Sequence, residues 1–350
     1  MHGYLIEEAR RRVEDIKAEH PDAIHVISVS GGKDSTAVYL LAKELLGADG
    51  FLAVTADTGH ELPPTYDFIA SLSGATGGPP VTTVRGDFAG DFPKRRENVK
   101  TKWAKEGIAQ HIIDRALAHL EPSGNPYLDM CLLRGGFPSP KRQFCTEYLK
   151  ILPIIEQFYL KLEKGRPIVS WTGVRRDEST ARSHLDYRGP LIATREPNRL
   201  YGDKVSGFTF RPILEWNVAD VWAWHKANGL LPNALYSANL SRVGCGPCIY
   251  ARHGEIRLLA KHYPTMIDRI EDWERRVALV TKRDPPEATF FAAKHLRPVY
   301  GNHITTATHG IRAMVEYVRS RPPKPSENAG GLFPPEVEIF GQCGLAGMCE

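Results

Sequence analysis

The sequence predicts an α/β fold: a doubly wound, mostly parallel sheet with an inserted helical segment and a C-terminal helical extension. Four apolar, β-branched runs are typical of buried strands, and they lie at 24–29, 51–56, 81–85 and 167–172. Helical segments alternate with them, as a parallel sheet requires. Three of the runs end in polar turns that contain glycine, at 30–35, 57–60 and 173–179. Because ligands bind such sheets at the carboxyl ends of the strands, we expect the three turns to meet in one crevice.

The helices follow from local signals, in chain order. Residues 4–19 have the spacing of an amphipathic helix and precede the first strand. A second helix continues from the 30–35 turn through 36–42, and a third covers about 64–73, after Pro63. Residues 88–146 fit the alternation poorly, and we interpret them as a partly helical insertion beside the site.

The composition is that of an ordinary soluble globular protein, with 42% hydrophobic and 25% charged residues among 350. No apolar run approaches the ~20 residues that a membrane-spanning helix needs, and the first ten residues lack the apolar core of a signal peptide. We therefore expect a cytoplasmic protein with no membrane partner. A net charge of +4 permits a nucleic-acid partner without arguing for one. Six cysteines in such a chain indicate metal or redox chemistry rather than disulfides.

The turn at 30–35 is the strongest chemical signal. It joins a strand directly to a helix and reads Ser30-Gly31-Gly32-Lys33-Asp34-Ser35. Glycines let the backbone approach a ligand, the first N–H groups of the helix point at an anion, and Lys33 adds a positive charge. The spacing is neither that of a Walker loop nor that of a G-x-G-x-x-G dinucleotide fingerprint. We predict a pyrophosphate cradle formed by this turn, with Ser28 at the end of the strand before it.

Two further turns supply candidate groups for the rest of a nucleotide. The second reads Asp57-Thr58-Gly59, and a carboxylate at that place can accept from a ribose hydroxyl or help to hold Mg²⁺. The third contains Gly173, Arg175, Glu178, Ser179 and Arg182. Guanidinium groups suit bidentate contacts with phosphate or sulfate oxygens. The alternative interpretation of this third turn is a basic helix start with an intrahelical Glu–Arg pair.

Together these segments resemble the phosphoadenosine phosphosulfate (PAPS) reductase family, within the PP-loop adenine nucleotide α-hydrolase superfamily. The 30–35 turn resembles the PP-loop, and 57–66 and 173–182 resemble two later blocks of the family. Residues 212–222 and 228–233 resemble a later helix and loop, and 244–248 resembles the Gly-Cys-x-Pro-Cys of iron–sulfur members. The resemblance implies a Rossmann-like sheet that binds an adenine nucleotide, and superfamily members split ATP between its α and β phosphates.

On this basis we divide the chain into three parts. Residues 1–250 are the predicted PP-loop nucleotide-binding domain with its insertion at about 88–146, 251–320 a helical extension, and 321–350 a Pro- and Gly-rich linker with a cysteine-containing tail. The insertion carries a run of basic side chains: Lys94, Arg95, Arg96, Lys100, Lys102 and Lys105. That run is either a solvated charged face or an electropositive strip for a polyanion.

Cys245 and Cys248 are two cysteines on one tight turn, a spacing that suits a shared metal ion or cluster. A zinc site or free thiols are the alternatives. The resemblance to iron–sulfur members aligns Cys145 with the first cysteine of a Cys-Cys pair, whereas Thr146 replaces the second. The resemblance therefore implies a [4Fe–4S] cluster with three matched ligands.

The fourth ligand is left open by the family pattern. Cys131, Cys343 and Cys349 are the remaining candidates, and we expect Cys343 or Cys349. Cys131 is instead interpreted as an ordinary buried thiol. The tail 342–346 partly resembles the Glu-Cys-Gly-Leu-His end of the reductases, which implies that Cys343 acts either as a nucleophile or as a cluster ligand.

Two reactions fit the resemblance. In the first, ATP and Mg²⁺ bind the loop, and Lys33, Asp34, Arg175 and Arg182 help an acceptor to be adenylylated with release of pyrophosphate. The acceptor could be nucleic acid, and sulfur would come from a donor protein such as a cysteine desulfurase or a thioredoxin-like protein.

In the second reaction, Cys343 attacks the sulfur of adenylyl sulfate or PAPS, and sulfite leaves. Neither of these substrates has a β,γ-pyrophosphate, so the complete loop favours ATP. A non-catalytic nucleotide-binding module is the third alternative.

Overall fold

A six-stranded sheet forms the centre of the structure, a computed structural model that describes residues 2–292 and 296–322. The strands are β1 (Ile24–Ser28), β2 (Leu52–Asp57), β3 (Val81–Arg85), β4 (Ile168–Trp171), β5 (Arg188–Pro190) and β6 (Gly207–Phe210). Their order across the sheet is β3-β2-β1-β4-β6-β5. Neighbouring strands run parallel, except that β5 pairs antiparallel with β6. The predicted α/β class with a mostly parallel sheet is therefore confirmed.

Helices precede, connect and follow the strands. The α-helices are α1 (His2–Glu19), α2 (Lys33–Leu46), α3 (Pro63–Thr76), α4 (Phe92–Asn98), α5 (Gln110–His119), α6 (Pro126–Arg134), α7 (Phe144–Thr146), α8 (Leu152–Gln157), α9 (Thr180–Ser183), α10 (Arg195–Tyr201), α11 (Val218–Ala227), α12 (His253–His262), α13 (Pro264–Leu279), α14 (Arg297–Tyr300), α15 (Thr306–His309) and α16 (Ile311–Arg319). Two π-helical segments are Val99–Trp103 and Glu147–Ile151, and short 3₁₀ segments are Ala89–Asp91, Tyr159–Lys161, Arg176–Glu178 and Ala234–Tyr236.

All four strands that the sequence predicts are present, and 81–85 has the predicted bounds. Strands β5 and β6 have no counterpart in the sequence-based prediction. They are only three and four residues long, and Phe210 is the one residue of the two strands that is buried. Strands this short and this exposed carry neither an apolar run nor a clear alternation, which are the signals by which strands are recognised.

The two faces of the sheet pack against separate hydrophobic clusters, because successive side chains of a strand point to opposite faces. Ile27 belongs to a cluster that includes Tyr39 of α2 and Ile16 of α1. Val26 belongs to a second cluster, with Ile155 of α8. The sheet is thus covered by helices on both faces, as a doubly wound fold requires, and its carboxyl edge is left to the loops.

A third hydrophobic cluster joins the helices of the 88–146 insertion to those after residue 251. Trp103 and Leu128 share it with Ile270 and Val315. These two stretches of sequence therefore bury their apolar faces against each other. The predicted division at residue 250 stays a prediction, and the predicted tail, from 323 onward, lies outside the described residues.

Within 2–292 and 296–322, none of the helices combines the length and the apolar composition that crossing a membrane takes. The cytoplasmic location stays a prediction.

Glu274 on α13 is a buried carboxyl group at the centre of the third cluster. It accepts hydrogen bonds from the backbone N–H groups of Phe290 (2.6 Å) and Ile311 (2.9 Å), and only 1% of the residue is exposed. Burial raises its pKa from the ordinary 4.5 to about 7. At pH values between 4.5 and about 7, the native state binds more protons than the unfolded chain. The free energy of unfolding therefore falls as the pH rises through this range.

We expect Glu274→Gln to remove this fall, which is on the order of 3 kcal/mol between pH 4.5 and 7.5. Urea unfolding at several pH values across this window measures it. The exposed Glu14→Gln on α1 is the control and should keep the wild-type slope. Equal slopes in Glu274→Gln and wild type would contradict the assignment.

Candidate functional site

The 30–35 loop leaves the carboxyl end of β1 and leads directly into α2. Gly31 has φ +71, and a Cβ at this position would lie 2.9 Å from Cγ2 of Thr65, so both the backbone conformation and the space require glycine. The Ser35 hydroxyl accepts from the N–H of Ser30 (3.1 Å) and donates to the carbonyl of Gly32 (3.1 Å). The N-cap of α2 is Gly32, which has no side chain to cap the first N–H groups. The helix N-terminus is thus suited to an anion.

The Asp34 carboxylate connects this loop to the third turn. It accepts from Nζ of Lys33 at 2.8 Å and from Nε of Arg175 at 2.7 Å, and a second Arg175 nitrogen donates to Asp177 at 2.7 Å. The backbones also meet here, because a Cβ on Gly173 would lie 2.6 Å from the carbonyl carbon of Asp34. Two of the three predicted turns therefore form one site.

Three residues to which the sequence analysis assigned no role hold the loop in place. The N–H of Lys33 donates to the Tyr236 hydroxyl at 2.8 Å, and Nε2 of His225 donates to the Lys33 carbonyl at 2.8 Å. The side-chain amide of Asn233 donates to the Gly31 carbonyl at 3.3 Å. Burial lowers the pKa of His225, which favours the neutral imidazole. Asn233 ends the 228–233 segment that resembles the family, whereas His225 and Tyr236 carry no motif of their own.

The second turn is held by its own side chains. The Asp57 carboxylate accepts from the N–H of Gly59 and from the Tyr66 hydroxyl, both at 2.8 Å. Thr58 donates to Glu61 at 2.6 Å. A Cβ on Gly59 would lie 2.8 Å from the amide nitrogen of Asn125, so this turn also packs against the insertion. Ser28 ends β1 opposite Val54 of β2, which sets the second turn beside the loop.

The rest of the third turn pairs internally. Glu178 accepts from the N–H of Arg175 at 3.1 Å and forms an ion pair with Arg182. The Ser179 hydroxyl accepts from the N–H of Arg182 at 3.3 Å and caps α9. Arg175 thus contacts the loop directly, whereas Arg182 is linked to it through Glu178. The Glu–Arg pair considered as the alternative interpretation is present.

Cys245 lies beside the second turn, and the other three cysteines of the described residues act on the same buried tyrosine as Cys245 does. Sγ of Cys245 lies 3.6 Å from the Thr58 hydroxyl, and Cys245 pairs with Glu61 in an isolated antiparallel bridge. Cys131, Cys145, Cys245 and Cys248 are all free thiols. Burial raises the pKa of Tyr127 well above its ordinary value, and the nearby charges of all four cysteines raise it further. The buried Tyr127 hydroxyl has no hydrogen-bond partner within the described part of the chain.

Cys131 is thus one of four cysteines that act on Tyr127, together with the three of the predicted cluster. It lies on α6 with no exposed surface, and burial raises its pKa well above the ordinary value, with Cys145 as a further cause. Cys343 and Cys349, which we predicted as the fourth ligand, lie outside the described residues.

The chemistry of these donors suits zinc or an iron–sulfur cluster. Burial raises the pKa of Cys245 to about 11 although Lys150 opposes that shift, so this thiol stays protonated at neutral pH in the absence of a metal. The Lys150 pKa is itself raised, chiefly by Cys245. Among residues 2–292 and 296–322, no three His, Cys, Asp or Glu side chains are arranged so that they could hold a metal ion. The thiol donors are of the type that binds a cluster. In the described residues, however, they are not arranged in the geometry that a cluster requires.

Comparison with known proteins agrees with the fold class and identifies the family. Residues 24–251 match the family model of the phosphoadenosine phosphosulfate reductase domain. The chain belongs to this family. A protein of Escherichia phage 186, described as an uncharacterized 37.8 kDa protein, is 38% identical over 284 residues, which are 78% of this chain and 80% of the phage protein.

Two proteins that are named as reductases match either a smaller part of this chain than the phage protein does, or match it at lower identity. Adenosine 5′-phosphosulfate reductase of Geobacillus sp. is 28% identical over 105 residues, which cover 30% of this chain and 37% of that protein. A crystal structure of PAPS reductase from Candida auris, in a phosphate complex, covers 71% of this chain and 95% of its own chain at 14% identity and a TM-score of 0.40. The family supports an enzyme of sulfur metabolism with an adenine nucleotide as ligand.

The contact between Gly173 and Asp34 yields a test of the site. We expect Gly173→Ala to weaken ATP binding at least tenfold, because the added methyl group would push the third turn away from the start of α2. Gly90→Ala is the matched control, since a Cβ there has no atom within 4 Å. Isothermal titration with ATP measures the change, and the thermal unfolding midpoint checks the fold. Equal ATP affinity in both variants would show that this contact does not shape the site.

Proposed function

We propose that this member of the PAPS reductase family is an ATP pyrophosphatase that adenylylates an acceptor for sulfur transfer. The observation that carries the proposal is the complete loop, in which Lys33 and Arg175 bind the same carboxylate at the N-terminus of α2. Positive charge at a helix N-terminus suits a pyrophosphate group. ATP has a β,γ-pyrophosphate to place there, whereas adenylyl sulfate and PAPS do not.

The loop residues would act by binding the negatively charged phosphate groups of ATP. The oxygens of the β and γ phosphates compete with Asp34 for Nζ of Lys33, while Arg175 stays bound to Asp34 and Asp177. An acceptor oxygen then attacks the α-phosphorus and loses its proton to solvent, and the bond from that phosphorus to the bridging oxygen breaks. Pyrophosphate leaves with the electron pair, stabilised by Lys33 and the N–H groups of the loop. Asp57 is the carboxylate that would help the phosphate oxygens to hold Mg²⁺.

We further propose that Cys131, Cys145, Cys245 and Cys248 hold the cluster, with Cys131 in the place expected for Cys343 or Cys349. All four cysteines lie near enough to Tyr127 to raise its pKa, which supports this set. A bound cluster would supply iron that can bind sulfur beside Thr58. The same proposal includes two partners: a donor protein that supplies the sulfur, and a nucleic acid that accepts it.

A reductase is the second candidate, and one contact favours it. Sγ of Cys245 lies 3.6 Å from the Thr58 hydroxyl of the second turn. A cysteine is therefore adjacent to the predicted nucleotide site, and a reductase reaction requires a cysteine near its nucleotide. In that reaction a thiolate, for which Cys343 is the candidate, attacks the sulfur of adenylyl sulfate or PAPS, the bond from that sulfur to the phosphate oxygen breaks, and AMP or adenosine 3′,5′-bisphosphate leaves. A dithiol of a thioredoxin-like donor protein then reduces the S-sulfonate on the cysteine, becomes a disulfide and releases sulfite.

Pyrophosphate release decides between the two reactions. We expect release from ATP when the acceptor is present, and a 10- to 100-fold loss in Lys33→Ala, because a charge-assisted contact with phosphate is removed. Lys17→Ala on the exposed side of α1 serves as the matched control. Sulfite release from adenylyl sulfate or PAPS without ATP turnover, lost in Cys343→Ser, would overturn the proposal in favour of the reductase.

Iron and sulfide analysis of anaerobically purified protein tests the ligand set. We expect about four irons and four sulfides per wild-type chain, and a loss of at least one iron in Cys131→Ser, as in Cys145→Ser. Cys343→Ser and Cys349→Ser should keep the full content. Full iron in Cys131→Ser together with loss in Cys343→Ser would assign the fourth ligand to Cys343. Zinc without sulfide would replace the cluster by a zinc site.

A further inference from the structure

A cavity of about 470 Å³ lies in the helical part of the molecule, and neither the loop residues nor the four cysteines line it. The N–H of its lining residue Gly136 donates to the Cys131 carbonyl at 3.1 Å. Its volume is in the range of small-molecule sites. Four cationic side chains line it, from α4, the end of α6 and the segment after α13: Arg95, Arg134, Lys282 and Arg283. Apolar side chains complete the wall, among them Trp103, Phe137 and Ile304.

Two of these cations, Arg95 and Arg134, lie close together on the cavity wall. Arg95 is near enough to Arg134 that Arg134 lowers its pKa, in addition to the larger effect of burial. Nε of Arg95 is buried and has no hydrogen-bond partner in the part of the chain that the structure describes. The guanidinium of Arg134 lies over the Tyr148 ring at 4.4 Å, which leaves its edges free for a ligand.

The carboxylates at the cavity are already engaged. Glu287, a lining residue, accepts from the Thr306 hydroxyl at 2.6 Å. Glu106 forms an ion pair with Lys282. The Glu287 carboxylate on the cavity wall offsets at most one of the two adjacent guanidinium groups, so an anion bound between them would reduce their repulsion.

We propose that this cavity binds a phosphate ester of about the size of a mononucleotide. Guanidinium groups match phosphate oxygens in bidentate geometry. The volume exceeds what an inorganic phosphate fills, and Phe137, Trp103 and Ile304 offer an apolar wall to an organic group. The ester could be a free nucleotide or one nucleotide of a strand, and the two share this chemistry. The proposal stands apart from the ATP reaction, since none of the loop residues or cysteines lines the cavity.

Binding of AMP to the full chain carrying Gly173→Ala tests this cavity with the predicted nucleotide site impaired. We expect AMP to bind, adenosine to bind at least tenfold more weakly, and Arg134→Gln or Arg95→Gln in the same background to weaken AMP at least tenfold. Lys94→Gln is the matched control, because it makes the same charge change on α4 outside the cavity, and it should stay within twofold. Thermal unfolding midpoints check that the variants are folded.

A single-stranded oligonucleotide distinguishes the sources of the ester. Tighter binding than AMP, with the same loss in Arg134→Gln, would assign the site to a strand, and equal binding would assign it to a free nucleotide. AMP binding that neither arginine variant changes would overturn the proposal. Equal loss in Lys94→Gln and Arg134→Gln would also overturn it, because it would indicate non-specific surface charge.

Discussion

One carboxylate, that of Asp34, joins two sequence motifs that are 141 residues apart. It binds Lys33 and Arg175, and the three side chains are only 16%, 10% and 5% exposed, respectively. Removing one partner of a pair this buried typically costs about 3–5 kcal/mol, because a charge is left unpaired away from water. The end of β4 is therefore held against the start of α2, and the absence of a side chain on Gly173 lets the two backbones meet.

The Glu61 carboxylate joins the second turn to Cys245, as the Asp34 carboxylate joins the loop to the third turn. Its carboxylate accepts from the Thr58 hydroxyl at 2.6 Å and from the Tyr66 hydroxyl at 3.1 Å, and Tyr66 also donates to Asp57. Glu61 also raises the pKa of Lys150, whose largest shift comes from Cys245. Glu61 also raises the pKa of Cys245, so the second turn and this cysteine lie near enough to act on each other.

The sequence predicted the sheet and the loop well because both leave local signals. The strand at 81–85 and the turn at 30–35 are each read from consecutive residues. Tyr236 was missed, because its contact with the N–H of Lys33 exists only in the folded chain. Cys131 was considered as a fourth ligand and interpreted as a buried thiol, because the sequence does not show which cysteines folding brings near it. Strands β5 and β6 are too short and too exposed to show the alternation of apolar and polar residues by which a strand is recognised in a sequence.

One of the contacts between the third hydrophobic cluster and the second turn is a buried histidine. His60 has no exposed surface, its ring lies 4.4 Å from that of Tyr127 and 5.1 Å from that of Trp273, and its Nε2 donates to the Pro247 carbonyl at 3.0 Å. Burial, with Arg269 as a further cause, lowers its pKa to about 3, so the imidazole is neutral at physiological pH. A neutral ring can pack among aromatic side chains without the cost of a buried charge. The insertion that supplies Tyr127 and the extension that supplies Trp273 are therefore structural parts of the cysteine site.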